Sequence, residues 1–389
     1  MRIQEIQQAL RYYNLDGYLF FDHHRRDPLA YRVLNFEPAQ SLTRRWYYLV
    51  PAEGDPVGLV HKIEPRVLDH LPGEKRRYAG WQQQCEALNR LLHGLNTVAM
   101  HYSPLCAVPY VANVDAGTIE LVRSTGVEVR SAANLVQIFE ACLSDAQFAT
   151  HKAAQAKVDA IRSAAFQRVS AAHAAGAAIT ELDIKQFILS AFETENLFCD
   201  HGPIVAVNAN ASNPHYEPLP ESHAPIRPGD LLLIDLWAKL RQPGAVYYDI
   251  TWTGFCGPTP PDQIQNVFAA VTGARDAAVQ CVLDGVAQGR ELEGWHVDDA
   301  ARDYLRHYGL AEHFFHRTCH SIGEDVHGNG ANMDNYETHD DRSILPGALF
   351  SVEPGVYLPD FGIRSEVNVF RSASRAEVTG EIQSALLRL

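Results

Sequence analysis

Cysteine is sparse in this chain and badly placed for a structural role. The seven residues, Cys85, Cys106, Cys142, Cys199, Cys256, Cys281 and Cys319, are scattered, odd in number and never spaced CxxC. That spacing speaks against structural zinc and against a disulfide framework. Positive charge is also short. Lys and Arg number 33 against 47 Asp and Glu, a formal net charge of −14, so neither nucleic acid nor an acidic membrane surface is expected as a partner. The opening stretch "MRIQEIQQALRYYNLDGYLF" has no basic region leading into an apolar one, and a secretory signal is not expected. No apolar run reaches the roughly 18 residues of a membrane-spanning helix. These absences lead to the expectation of a cytoplasmic protein without a membrane partner. No short repeat and no low-complexity tract interrupts the chain.

What is present is ample apolar material, 46% of 389 residues, enough for two or three domains. Up to about residue 140 the texture alternates. "IQEIQQALRYY" and "WQQQCEALNRLLHGL" have helical spacing, whereas "GYLFF", "RWYYLV", "PVGLV" and "NTVAM" are short apolar strands. Such alternation predicts a small α/β domain with helices covering a sheet. At Ser144 the texture changes to a long alanine-rich helix, capped by Ser144 or Asp145, and Thr180 to Asp183 reads as the capping box of a second helix. Two more helices are expected at "DQIQNVFAAVTGARDAAVQCVLDGV" and "WHVDDAARDYLRHYG". The expected domains are 1–142 and 143–389, the second an α+β domain whose antiparallel sheet is covered by helices.

The acidic residues of that second domain are placed unusually. In "VEPGVYLPDFGIRSEV" a two-residue turn of Pro359 and Asp360 pairs Leu358 with Phe361. Counting outward, Glu353 falls opposite Glu366, with Cβ atoms about 4.5–5.5 Å apart. Upstream, a three-residue loop of Arg241, Gln242 and Pro243 pairs Leu240 with Gly244 and brings Asp235 opposite Asp249. A single acid on a strand is most often solvated or in an ion pair. Two hairpins that each oppose two acids in apolar surroundings suggest a cation between them. His320 and His327, in "HRTCHSIGEDVHGNG", are candidate imidazole partners. Oxygen donors with one imidazole suit Mn²⁺, with Zn²⁺ and Co²⁺ as alternatives.

The ordered set "ID…DIT…HSIGEDVH…VEPGVY…GIRSEV" resembles the pita-bread metallopeptidases, which include methionine aminopeptidase, aminopeptidase P and Xaa-Pro dipeptidase (prolidase). The α/β region ahead of it is similar to that of the two proline-directed members, and bacterial Xaa-Pro dipeptidases are the best match. The resemblance implies two divalent metal ions held by Asp235, Asp249, His320, Glu353 and Glu366. Asp249 and Glu366 would bridge them, and Glu353 would help to activate a metal-bridging hydroxide. It also implies that His215, in "NPHYEP", and His327 contact the substrate or intermediate. Arg364 matches the arginine of "R-x-E". Two residues before Glu366, it would share that residue's strand face and could take the free carboxylate of a dipeptide. A homodimer acting on small peptides is a further implication. The alternatives are an aminopeptidase P acting on longer Xaa-Pro-Yaa peptides, a metal-free creatinase-like hydrolase and a non-catalytic binding protein. Several positions depart from the family pattern. Cys319 stands for a glycine, Leu236–Trp237 for "x-G", Trp252 for an arginine and "HGNG" for "HE-x-P", and the aspartates are fourteen residues apart, wider than is common.

Overall fold

The computed structural model describes residues 2–37 and 42–389. The chain forms two compact units, Met1–Glu140 and Ala141–Leu389. Among the described residues no helix is long and apolar enough to cross a membrane.

The first unit runs α1 (Arg2–Tyr12), β1 (Gly17–Asp22), α2 (Pro28–Leu34), β2 (Trp46–Pro51), β3 (Val57–His61), β4 (Glu74–Tyr78), α3 (Trp81–Leu92), β5 (Thr97–Met100), α4 (Ala116–Arg123), β6 (Glu128–Ser131) and α5 (Ala133–Glu140). Its mixed sheet has the order β4-β3-β2-β1-β5-β6. The period-2 pattern of a strand explains its two cores. Tyr18, Phe20, Trp46 and Tyr48 point to one face, and Leu19, Phe21, Tyr47 and Leu49 to the other. Helices cover both faces, as the alternating sequence predicts.

The second unit opens with α6 (Asp145–Ala174), whose capping box joins Ser144 and Gln147. In α7 (Glu181–Thr194) the box joins Thr180 and Asp183. Strands β7 (Leu197–Phe198), β8 (Ile204–Val207), β9 (Leu231–Leu240) and β10 (Tyr248–Phe255) follow, then α8 (Asp262–Ala287) and α9 (Gly294–His307). Next come β11 (Leu349–Val352), β12 (Gly355–Tyr357), β13 (Gly362–Arg364), β14 (Val367–Arg371), β15 (Ala376–Thr379) and β16 (Leu387–Arg388). The sheets are β16-β10-β9-β7 with β8 also on β9, β11-β14-β15, and the ribbon β12-β13. The expected sheet is antiparallel. The structure adds one parallel pair, β10 with β16, because the last residues return along the strand edge at Gly254–Phe255.

The two hairpin registers fare differently. Leu358 N–H donates to Phe361 O at 2.9 Å, so Pro359 and Asp360 form the turn as read. The ladder then pairs Gly355 with Arg364 and, beyond a break, Val352 with Val367. Glu353 and Glu366 occupy that break at matching positions. Their backbone N–H groups turn outward, to Thr318 O (2.9 Å) and Thr251 O (3.1 Å). In the upstream hairpin the expected register is wrong by two residues. Asp235 pairs with Thr251, and Asp249 with Trp237. The connection is longer than three residues because Val246 N–H donates to Thr150 Oγ1 (3.0 Å) and Tyr247 N–H to Gly323 O (3.1 Å), which keeps both out of the ladder. A slip of two preserves the face, so Asp235 and Asp249 remain diagonal neighbours on one side of the sheet.

Candidate metal centre

Four acids and one imidazole converge on that side. Asp235 comes from the middle of β9, Asp249 from the start of β10, and Glu353 and Glu366 from the break in the ribbon. His320 is carried by an extended segment tied to β11. Its N–H donates to Ser351 Oγ (3.0 Å), and Ser351 N–H donates back to His320 O (2.9 Å). Ser351 Oγ also donates to Glu353 Oε1 at 3.2 Å, so one serine fixes two members of the set. Asn368 clamps the backbone of Asp249 through paired amide bonds of 3.1 and 2.7 Å. Donor atoms of Asp249, His320 and Glu366 lie within 4.8 Å of one another. His320 Nε2 is 3.5 Å from Asp249 Oδ2 and 3.3 Å from Glu353 Oε1. Because His320 Nδ1 faces Ser321 O at 3.2 Å, and a carbonyl only accepts, the ring proton sits on Nδ1. The Nε2 lone pair then points at the acids, as a metal ligand requires.

The fit to a cation can be tested on the carboxylates themselves. Asp235 Oδ1, Asp249 Oδ1 and Glu366 Oε1 are buried with no hydrogen-bond partner among the described residues. Buried polar atoms are rarely left so, and three on neighbouring carboxylates mark where positive charge belongs. Burial pushes Asp235 up to about 7, against the pull of Arg364. Burial raises Asp249 well above the carboxylate range, with the charge of Glu353 adding to it. Glu366 is raised by burial and then by Asp249, Glu353 and Asp235. For Glu353 burial also acts upward, but His320, His316, Arg364 and His327 outweigh it and hold its pKa below the usual value. Like charges this crowded keep protons unless divalent cations replace them. The donor set of carboxylates with one imidazole fits such cations.

Arg364 does something other than expected. It is buried, and each guanidinium nitrogen has a protein partner. Nη2 pairs with Asp235 Oδ2, Nη1 donates to Tyr357 Oη at 3.1 Å, and Nε donates to Thr251 Oγ1 at 3.2 Å. A guanidinium so enclosed is not presented to the carboxylate of a substrate. It orients Asp235. Behind it, His316 Nδ1 lies 2.7 Å from Arg317 O and must donate there, so His316 Nε2 accepts from the Tyr357 hydroxyl at 2.7 Å. Thr251 Oγ1 donates a hydrogen bond to Glu366 Oε2 at 2.8 Å. Thr251, Ser351, Tyr357, His316 and Asn368 escape sequence reasoning. Only Thr251, in "DIT", and Tyr357, in "EPGVY", lie inside recognisable motifs.

The two substrate histidines are placed differently. His327 is exposed, and its ring stands edge-on to His320 at 4.4 Å between centroids. His215 is exposed on the segment after β8. Among the described residues no hydrogen bond, ion pair or ring contact joins its side chain to the acids. Its segment is anchored from below by Glu181, a buried acid that sequence reasoning also misses. Glu181 accepts from Val207 N (2.7 Å), Asn210 Nδ2 (2.9 Å), Tyr216 Oη (2.6 Å) and Ala224 N (2.6 Å). Gly362 allows β13 to approach the same segment, since a Cβ there would strike Ala211 O.

Comparison with known proteins agrees with this geometry. An Xaa-Pro dipeptidase of Lactobacillus helveticus is 32% identical over 164 residues, 42% of this chain and 40% of that one. The chain spans about half the length or less of the curated relatives it matches. Among solved structures, dipeptidase PepE from Mycobacterium ulcerans superposes with a TM-score of 0.67 at 23% identity, over 100% of this chain and 96% of that one. An X-prolyl aminopeptidase from Caenorhabditis elegans, described as a cytosolic enzyme with a di-nuclear active site, gives a TM-score of 0.63 at 16% identity, over 99% of this chain and 63% of that one. These superpositions establish the shared pita-bread fold. The model of metallopeptidase family M24 matches residues 149–371, more than half of the chain, and the chain belongs to that family.

Proposed function

We infer that this chain is a metal-dependent dipeptidase that hydrolyses Xaa-Pro peptides. Asp235, Asp249, His320, Glu353 and Glu366 would hold two divalent cations, Mn²⁺ first, with Zn²⁺ or Co²⁺ as alternatives. The observation that carries this reading is the convergence of three orphaned carboxylate oxygens beside the Nε2 lone pair of His320. When bound, such a pair of cations supplies Lewis acidity that polarises a carbonyl and acidifies water.

The protein residues have separable tasks. Glu353, with Oε1 3.3 Å from His320 Nε2, would accept the proton of the attacking water. Asp235 is kept in one orientation by Arg364, and Glu366 by Thr251. His327, exposed beside His320, and His215, on the loop after β8, would hydrogen-bond the substrate, and one of them would deliver a proton to the departing prolyl nitrogen. Water thereby adds across the amide and releases two amino acids. The expected homodimer belongs to the same reading. An aminopeptidase acting on Xaa-Pro-Yaa peptides is the nearest rival, supported by the similarity in fold to the C. elegans enzyme.

The test is an assay of the Mn²⁺-loaded protein on Ala-Pro, Ala-Pro-Ala and Ala-Ala. Cleavage of Ala-Pro in clear preference to the other two is expected. Preference for Ala-Pro-Ala would favour the aminopeptidase, and no cleavage of any would contradict both.

A further inference from the structure

The sheet face that carries Asp235 and Asp249 also carries an indole. Along β9, Leu233, Asp235, Trp237 and Lys239 alternate onto one face, and Trp237 lies directly across from Asp249. Exposure rises along that row. Leu233 and Asp235 are buried, whereas Trp237 and Lys239 are half-buried. The indole therefore stands between the carboxylates and solvent, at the rim of the site.

Two sets of contacts keep it from swinging away. Its Nε1 donates to Asp200 Oδ1 at 3.0 Å. The pairing of Phe198 with Lys239, continued by two residues, sets Asp200 alongside Trp237. The ring also packs against two apolar clusters. One contains Ala211 and is joined by Tyr216, on the segment that bears His215. The other contains Ile322 and is joined by Val326, on the segment that bears His327. Asp200 itself is exposed, with Oδ2 3.3 Å from His201 Nδ1. A carboxylate at this rim repels the C-terminal carboxylate of a dipeptide and attracts its ammonium group. The end of the substrate that faces Trp237 is then the amino-terminal residue.

We propose that Trp237, fixed by Asp200, is the wall of the subsite for the substrate's N-terminal residue and sets the size of side chain which that residue can carry. The proposal rests on the Xaa-Pro dipeptidase reading. Trp237 does not touch the reacting bond. Its bulk is felt by the neighbouring side chain, so it acts on KM for large residues more than on kcat for small ones.

The experiment compares wild type, Trp237→Ala and Trp237→Phe on Ala-Pro and Phe-Pro with Mn²⁺, and follows tryptophan fluorescence as each dipeptide is titrated into the metal-free protein. Wild type should prefer Ala-Pro. Trp237→Ala should shift the kcat/KM ratio toward Phe-Pro by about 10-fold or more, the scale on which pocket size discriminates, mainly through KM. Trp237→Phe should fall between them and control for loss of packing. The fluorescence response of the wild type should be lost in both variants. An active enzyme whose Ala-Pro to Phe-Pro ratio and fluorescence response are unchanged by both substitutions would overturn the proposal and leave the dipeptidase reading intact. A protein that cleaves neither peptide would overturn the dipeptidase reading, and the proposal with it.

Discussion

Thr251 illustrates how much of this site lies in residues that bind nothing themselves. Its hydroxyl accepts from Arg364 and donates to Glu366, linking the residue that orients Asp235 to a second metal-ligand candidate. Thr251→Val keeps the shape and removes both bonds. Outer partners of this kind contribute about 10- to 100-fold to metal affinity or activity, so a chelator-competition titration should show Mn²⁺ binding weakened by about that factor. Unchanged affinity would mean that Glu366 is held by something other than Thr251. The four acids and His320 are legible in the sequence: motif order picks out all five, and hairpin counting reaches the same four acids, two of them through a register that is off by two. The partner network is not. His316, Ser351 and Asn368 are ordinary residue types at unremarkable positions, and only the crossing of three chain segments brings them together. Arg364 is legible as a position but not as a role. The face it shares with Glu366 could be counted, whereas the partners that enclose it could not.

At the level of elements, the ribbon and the β9–β10 hairpin separate what local sequence decides from what it leaves open. The turn at Pro359–Asp360 sets its register because two residues suffice to close it. The connection after Leu240 does not, because Val246 and Tyr247 give their N–H groups to Thr150 and Gly323, partners remote in sequence. The slip of two residues left the face intact, and so the site survived the error. The segment after β8 depends similarly on a distant residue. Glu181, in the first turn of α7, accepts from Val207 at the end of β8 and from Asn210, Tyr216 and Ala224 of that segment. Replacing it with Gln leaves some of these donors facing an amide N–H. A hydrogen bond to a charged group contributes about 1.5–3 kcal/mol, and urea unfolding of Glu181→Gln should show a loss on that scale. If His215 acts from this segment, KM for Ala-Pro should rise as well. A variant with the stability and KM of wild type would show that Glu181 does not set the conformation of the loop.

For the molecule as a whole, acid stability should depend on a histidine that is not one of the metal-ligand candidates. His151 is fully buried on α6, with Nδ1 2.6 Å from Tyr247 O and Nε2 2.8 Å from Thr379 Oγ1. Burial lowers its pKa from 6.5 to about 4. The unfolded chain therefore takes up a proton at this ring on acidification before the folded chain does. The stabilisation is present above pH 6.5 and is lost as pH falls toward 4, by an amount on the order of 3 kcal/mol. Denaturant unfolding at pH 7 and pH 4.5 should show His151→Gln losing less stability between the two values than wild type. Equal losses would place the acid sensitivity elsewhere. The central claim, that two residues of β9 and β10, two in the break of the ribbon and one on a connecting segment hold two divalent ions, is tested most directly by elemental analysis. Wild type and Glu366→Ala would be loaded with Mn²⁺, freed of excess metal, and measured for metal per chain. Wild type should retain about two ions, and Glu366→Ala should lose at least one of them while keeping its circular dichroism. A wild type that retains no metal, or a Glu366→Ala variant that retains as much as wild type, would contradict the assignment of the site.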